Sequence, residues 1–266
     1  MKVLLVCDRS GGHIFPAVAV AKKFREKSTK ISQDLPGKET IAYEDEVSFF
    51  VTSQFLRDYL EKEGFLVYGR FFKRRNLIME MFYRFFEAVI LLFRLRPQKI
   101  IGFGGRDSFF LLLFGSLLFL DTAIYEPNLR FGKANRVLSF VVRKTFCGFA
   151  QPPLNKRIKV VGIPLRDNIK LIQKSQALKV LGFNDQPVIF CLGGSQGSHF
   201  LNTIFMKLLV GLQGEYQVIH LTGEREYFKI YEFYNKIERK SFVKDFHYAV
   251  EVLYSATDVE IGRAHV

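Results

Sequence analysis

The sequence predicts an α/β protein of two doubly wound, Rossmann-like domains, each built on a parallel sheet. A cadence of apolar strand, glycine-rich turn and helix recurs along most of its 266 residues, and that cadence is the pattern of a parallel sheet covered on both faces. It runs in two series, broken by the Pro-Pro pair and basic run of Gln151 to Lys159. The length suits one large α/β unit or two domains of roughly 130 residues each.

In the first series, strands are expected at Lys2 to Cys7, Val47 to Thr52, Phe65 to Tyr68, Lys99 to Phe103, Thr122 to Tyr125 and Thr145 to Phe149, with helices beginning near Ile14, Gln54, Leu77, Ser108 and Phe131. In the second, strands are expected at Val188 to Leu192, Gln217 to Leu221 and Ser241 to Lys244, with helices near His199, Glu224 and Tyr248. Residues 1–155 are assigned to the first domain, 156–168 to a linker and 169–266 to the second domain. The polar stretch Thr29 to Glu46 reads most simply as a long solvated loop.

Composition removes several classes. With 48% hydrophobic residues and 29 Phe the chain can build a sizeable core, which sets it apart from disordered sequences. Cys7, Cys147 and Cys191 are odd in number and lie far apart in apolar runs, so buried reduced thiols in a reducing cytoplasm are expected, not a disulfide scaffold. Met1 leads straight into a strand, without the tripartite pattern of an export leader.

Lys and Arg number 39 against 26 Asp and Glu, a net charge of +13 that must attract some anion. The cations are interleaved with aromatic residues, in Arg70, Phe71, Phe72, Lys73, Arg74 and Arg75 and again at Arg84, Arg94 and Arg96. That mixture fits an anionic membrane surface better than a nucleic-acid groove, and no nucleic-acid partner is expected. The uncharged apolar run Ser108 to Leu120 is 13 residues, whereas a spanning helix needs about 20. In the helix expected from Leu77 to Arg96, Glu80, Arg84, Glu87 and Arg94 form one stripe, opposite a wide apolar arc of Ile78, Met79, Phe82, Phe85, Phe86, Val89, Leu92 and Phe93. The arc is either buried between sheet and neighbouring helix or partly inserted in a membrane leaflet, with Lys73 to Arg75 on the headgroups.

Three turns carry the chemistry. Ser10-Gly11-Gly12-His13-Ile14-Phe15-Pro16 follows the first strand and opens a helix, so its amides can approach and bind an anion such as pyrophosphate. It is neither a dinucleotide fingerprint nor a P-loop. His13 is a general base, a phosphate ligand or a structural cap. Gly102-Phe103-Gly104-Gly105-Arg106-Asp107-Ser108 repeats the geometry, and Tyr125-Glu126-Pro127-Asn128 ends the next strand at the same edge. Glu126 is either part of that pocket or a helix cap together with Asn128. The third turn, Leu192-Gly193-Gly194-Ser195-Gln196-Gly197-Ser198, is an anion nest suited to a diphosphate or a bare tight turn. Gly162-Ile163-Pro164-Leu165-Arg166 places a guanidinium at the junction, facing an interdomain cleft or lying on the surface.

In order and spacing, Gly-Gly-His-Ile-Phe-Pro at 11–16, Gly-Phe-Gly-Gly at 102–105, Glu-Pro-Asn at 126–128, Gly-Ile-Pro-Leu-Arg at 162–166 and Gly-Gly-Ser-Gln-Gly at 193–197 resemble the MurG family. These are bacterial N-acetylglucosaminyltransferases that complete the lipid-linked peptidoglycan precursor. The resemblance covers residues 1 to about 260 and is most specific at the last turn with Leu201 and Asn202. It implies a GT-B glycosyltransferase fold with an interdomain cleft and an inverting transfer from UDP-GlcNAc to undecaprenyl-pyrophosphoryl-MurNAc-pentapeptide, lipid I to lipid II. By that likeness Gly11, Gly12, His13, Gly104, Gly105, Glu126 and Asn128 would serve the acceptor, with His13 as the base or its accessory. Asn128, Arg166, Gly194, Ser195, Gln196, Gly197, Phe246 and His247 would serve the donor. Phe71, Phe72, Lys73, Arg74, Arg75, Phe82 and Phe85 would meet the membrane, at its cytoplasmic face and peripherally. Neither a cofactor nor a metal is expected, since Arg166 and helix amides can stabilise the departing UDP.

The chain departs from the family pattern at Asp8-Arg9-Ser10, where the family is richer in glycine, and at Arg106, Tyr125, Pro127 and His247. Family members also continue past this chain, with an acidic residue for the ribose, glutamines for the donor sugar and a final helix. Ile261 to Val266 reads as a sequencing-library adapter, or else as a diverged native segment. On either reading the expectation is a chain whose second domain is incomplete and which is inactive alone, and a stop codon directly after Val266 at the locus would overturn it. The competing functions are another glycolipid glycosyltransferase of the same fold and a non-catalytic membrane-surface scaffold.

Overall fold

A computed structural model describes residues 1–8, 11–33, 46–70, 77–150, 157–166, 169–194 and 196–262. The chain folds as two compact units that divide after Arg166.

In the first unit, seven parallel strands lie in the order β3-β2-β1-β4-β5-β6-β7. They are β1 (Lys2–Val6), β2 (Glu46–Phe50), β3 (Leu66–Tyr68), β4 (Lys99–Gly102), β5 (Asp121–Glu126), β6 (Lys144–Cys147) and β7 (Ile158–Val160). Such strands are apolar on both faces because helices cover both. Val3 and Leu5 pack with α1 (Gly11–Gln33) and α2 (Gln54–Lys62), while Leu4 and Val6 pack with α3 (Leu77–Leu95), α4 (Asp107–Leu117) and α5 (Lys133–Leu138). The second unit repeats the plan with four parallel strands in the order β10-β9-β8-β11, namely β8 (Val188–Leu192), β9 (Gln217–Leu221), β10 (Ser241–Lys244) and β11 (Val259–Gly262). Helices α6 (Lys174–Leu181) and α9 (Val250–Ala256) cover one face, and α7 (His199–Gly211) and α8 (Tyr227–Tyr234) the other.

Several expectations are corrected. Ile158–Val160, expected in the linker, is the edge strand β7, paired with Thr145 to Cys147. It has only three residues beside a basic run, too short for a visible pattern. Helix α6 and strand β11 were not anticipated; α6 buries only Ala177 and Leu178. β11 pairs Val259 to Gly262 with Ile189 to Leu192. The loop expected at Thr29 to Glu46 is helical as far as Gln33. A 3-10 turn at Glu224–Glu226 precedes α8.

Two helix ends place a non-glycine residue at positive φ, Arg96 (φ +48°) after α3 and Phe119 after α4. Both α2 and α6 close with a glycine in the left-handed region, Gly64 at φ +77° and Gly182 at φ +68°. In each, paired backbone bonds (Phe65 N to Leu60 O, Phe183 N to Leu178 O) complete a Schellman motif. Helix α4 closes the same way through Leu120 N to Gly115 O and Phe119 N to Ser116 O, but with Phe119 at the left-handed position, φ +58°. A β-carbon makes that conformation strained.

Helix α3 packs Ala88, Leu91 and Leu92 into the core and buries one ion pair beside them. The Arg84 and Glu87 side chains, only 5% and 13% exposed, pair at 2.5 Å and face inward. Arg84 Nη2 donates to the Arg70 carbonyl at 3.1 Å, and the Arg70 amide donates to Glu87 at 3.2 Å. Ile78, Phe82, Phe86, Ile90 and Phe93 are exposed instead. Of the apolar arc, only Leu92 is buried in the core, with Phe85 stacking edge-on to Phe110 and Phe114 of α4. Removing one member of a buried pair strands the other charge, so Glu87→Ala should destabilise the first unit by about 3 kcal/mol. The double replacement Arg84→Met/Glu87→Leu should come close to the parent in denaturant melts.

Candidate active site

Ligands of open parallel sheets bind outside the carboxyl ends of the strands where the strand order reverses. In the first unit that point lies between β1 and β4, the two strands followed by the 11–16 and 102–108 turns. Gly104 and Gly105 hold φ of +101° and +89°, which favours glycine. A β-carbon on Gly104 would lie 3.0 Å from His13 Nε2, and one on Gly105 would overlap the Asp8 side chain. Two consecutive glycines therefore form the floor on which His13 and Asp8 rest. Gly12 has nothing within 4 Å of its missing β-carbon and is exposed, so the start of α1 is open to an approaching anion.

Burial lowers the pKa of His13, while the carboxylates of Asp8 and Glu126 act in the opposite direction. Burial wins, and His13 is neutral at pH 7, the form that can accept a proton.

Glu126 is 1% exposed at the end of β5. Its Oε1 accepts from the Asn128 amide at 3.1 Å and from Asn128 Nδ2 at 2.8 Å. Its Oε2 accepts from the Gly132 amide and Asn135 Nδ2, both at 3.0 Å. The carboxylate thus ties the 126–132 loop to the start of α5, as the capping alternative anticipates. The Tyr125 hydroxyl donates to the Gly162 carbonyl at 3.0 Å, anchoring the segment that leads to Arg166. The Arg166 guanidinium lies 4.4 Å above the Phe15 ring and is 7% exposed. Arg166 is therefore no surface arginine; a cation–π contact holds it two residues from His13.

In the second unit the order reverses between β8 and β11, and β8 leads into the turn at 193–198. Gly194 (φ +87°) is exposed with nothing within 4 Å of its missing β-carbon, and Gly197 (φ +74°) closes the turn through its amide to the Gly194 carbonyl at 3.0 Å. Ser195 lies outside the described residues, as do Phe71, Phe72, Lys73, Arg74 and Arg75. Ser198 caps α7, its hydroxyl accepting from the Leu201 amide. The sequence reading missed Gly223 on the next turn: a β-carbon there would lie 2.5 Å from Gly197 Cα. The Gly223 amide in turn donates to the Asp245 carbonyl at 3.0 Å, so the three turns of this edge are laced in sequence. Thr222-Gly223 after an apolar strand was the available signal. Phe246 and His247 follow on the third turn, His247 edge-on to Phe242 at 5.4 Å. Burial lowers the His247 pKa, Glu251 raises it and Lys244 lowers it.

Among the described residues no group of three or more His, Cys, Asp or Glu could hold a metal ion.

The glycosyltransferase family 28 N-terminal domain matches residues 4–147, more than half of the chain, and the family's C-terminal domain matches residues 188–264. The chain belongs to glycosyltransferase family 28. A relative from Caldanaerobacter subterraneus subsp. tengcongensis is 27% identical over 99% of this chain and 74% of its own length. One from Thermus thermophilus is 31% identical over 84% of this chain and 63% of its own length. Both are named UDP-N-acetylglucosamine--N-acetylmuramyl-(pentapeptide) pyrophosphoryl-undecaprenol N-acetylglucosamine transferase. Among solved structures, Acinetobacter baumannii MurG superposes with a TM-score of 0.64 at 22% identity, covering 99% of this chain and 72% of that one. The S. aureus MnaA-UDP structure superposes at 0.67 and 11% identity, over 99% and 74%. The fold of this family 28 chain is that of the GT-B glycosyltransferases, two Rossmann-like parallel sheets.

Two outcomes follow for this family 28 chain. In Asp8→Asn, loss of the carboxylate that favours the imidazolium should lower the His13 titration midpoint further, read by NMR. For His220, buried in β9, desolvation lowers the pKa from 6.5 to about 4. The unfolded chain takes up this proton below pH 6.5 and the folded one does not until about 4, so stability is kept above 6.5 and lost as pH falls towards 4. Denaturant melts at pH 7 and 5 should show a smaller loss in His220→Gln.

Proposed function

We propose that this chain is an inverting N-acetylglucosaminyltransferase that moves GlcNAc from UDP-GlcNAc to undecaprenyl-pyrophosphoryl-MurNAc-pentapeptide in peptidoglycan synthesis, lipid I to lipid II. The observation that carries the proposal is the 27% identity along 99% of the chain to a transferase of that name. The glycine-floored turns at both switch points, on two sheets of one chain, supply the sites such a reaction needs.

Neutral His13 takes the proton of the attacking acceptor hydroxyl. Its oxygen forms the new bond to the anomeric carbon while the bond to UDP breaks, and the leaving electron pair stays with the diphosphate. Gly11, Gly12, Gly104 and Gly105 line the place of the acceptor pyrophosphate, with Gly12 exposed at the start of α1. The Glu126 clamp fixes Asn128 at the same edge. Gly194, Ser195, Gln196 and Gly197 receive the donor diphosphate at the start of α7, with Phe246 and His247 beside them. Amide dipoles there meet the charge that develops on UDP, and Arg166 is the cation assigned to the same charge.

A peripheral position at the cytoplasmic face of the membrane completes the proposal. No helix among the described residues is long and apolar enough to cross a membrane. The outward α3 face offers Phe82, Phe86, Ile90 and Phe93, at 58–65% exposure, and the α4 end also exposes Leu117, Leu118 and Phe119. Arg143 donates to the Phe119 carbonyl at 3.2 Å, which puts a cation at the border of the apolar face as anionic headgroups would favour.

The product of the complete genomic locus should add one N-acetylhexosamine to a polyprenyl-pyrophosphoryl muramyl acceptor, scored by mass spectrometry. His13→Ala should lower kcat by about a hundredfold or more with UDP binding retained; an active His13→Ala removes the base assignment, and absence of transfer by the parent removes the function. The triple variant Phe82→Ser/Phe86→Ser/Phe93→Ser should lose flotation with anionic liposomes. Unchanged flotation counts against the membrane assignment.

A further inference from the structure

Behind the glycine turn of the second unit lies a chain of buried polar groups that the reaction itself does not use. Asn202, on the first turn of α7, is 1% exposed. Its Nδ2 sits 2.9 Å from the Thr222 carbonyl and 2.8 Å from Glu226 Oε2, and its Oδ1 sits 3.1 Å from His220 Nε2. His220 is wholly buried, with Nδ1 3.0 Å from the Tyr234 hydroxyl. At the outer end Glu226 Oε1 meets His199 Nδ1 at 2.6 Å.

The donors and acceptors fix one direction along this chain. A carbonyl and a carboxylate can only accept, so the Asn202 amide nitrogen faces Thr222 and Glu226 and its oxygen faces His220. His220 must then carry its proton on Nε2, which leaves Nδ1 as an acceptor for the Tyr234 hydroxyl. Reversing any one link leaves two donors or two acceptors facing each other in a dry interior, where an unmade hydrogen bond is costly.

We infer that Asn202 is a positioning residue for the glycine turn, aimed by a one-way hydrogen-bond relay that begins at the Tyr234 hydroxyl and ends at the Glu226 carboxylate, which also accepts from His199. The relay pins the first turn of α7 to the 222–226 segment at two points, His199 and Asn202. That segment carries Gly223, whose backbone touches Gly197 with no room for a β-carbon. A shift of α7 therefore moves Gly197 and the amides proposed to hold the donor diphosphate. The inference deepens the proposed function, on which only its link to UDP depends.

Tyr234→Phe tests it from the remote end, since the ring stays and only the hydroxyl goes. His220 Nδ1 then has no donor, and the directional constraint on Asn202 is lost. Amide hydrogen exchange, followed by NMR on the whole ligand-free chain, should accelerate by roughly fivefold or more at Gly197 and Gly223. The Phe183 amide, on the α6 side of the sheet, should be unchanged. Equal acceleration at Phe183 would mark general loosening and overturn the inference, as would unchanged exchange at Gly197 and Gly223. Nitrogen shifts of the parent imidazole should show the Nε2–H form of His220, and the Nδ1–H form would also overturn it. A titration with UDP should show weaker binding in the variant. Failure of the parent to bind UDP would sink the donor reading of the turn, while exchange would still decide the relay.

Discussion

Where Gly197 meets Gly223, and where Gly104 and Gly105 underlie His13 and Asp8, the chain has space for backbone and none for a β-carbon. Close approach of bare backbone at a strand's carboxyl end is the constraint on which the rest of the molecule depends. It brings successive turns within reach of one another, exposes amides where the strand order reverses, and forces the neighbouring polar side chains into fixed positions. Each unit meets the constraint separately, with a pair of glycines at its own sheet edge.

The two units use buried imidazoles in contrasting ways. Burial lowers the pKa of both His13 and His220. His220 has both ring nitrogens engaged by Asn202 and Tyr234, so its neutrality serves to orient other groups. His13 sits at an open sheet edge under two opposing influences, burial and the carboxylates of Asp8 and Glu126. Glu126 has both oxygens occupied by the loop it clamps, and that arrangement suits an acid that serves architecture beside the imidazole proposed as the base.

Strands flanked by glycine turns were legible in the sequence because their apolar runs and turn residues are both local. The short edge strand at Ile158–Val160 was not, since three residues carry no period. For α3 the periodicity separated a charged stripe from an apolar arc, yet no local property says which residues turn inward: Leu92 of the arc is buried and Arg94 of the stripe is exposed. The answer lies in Arg70, whose backbone engages both Arg84 and Glu87. Arg166 is similar. Its position in the chain suggested a cleft, whereas its ring partner Phe15 is 151 residues away (166 − 15). Gly11, Gly12, Gly104 and Gly105 were legible as strand-to-helix junctions because a glycine after a strand is a local signal. Asn202, His220 and Glu226 draw their roles from one another, and a network has no signature along the chain.

Phe119 holds a strained backbone while presenting 84% of its surface outward. A glycine there would relax the α4 terminus, as Gly64 and Gly182 do for their helices, but it would remove an aromatic ring from the greasy rim. Under the proposed membrane role, folding and surface adhesion make opposite demands on one position. A screen that rewards heat resistance alone would then select a sturdier protein with a weaker hold on lipid.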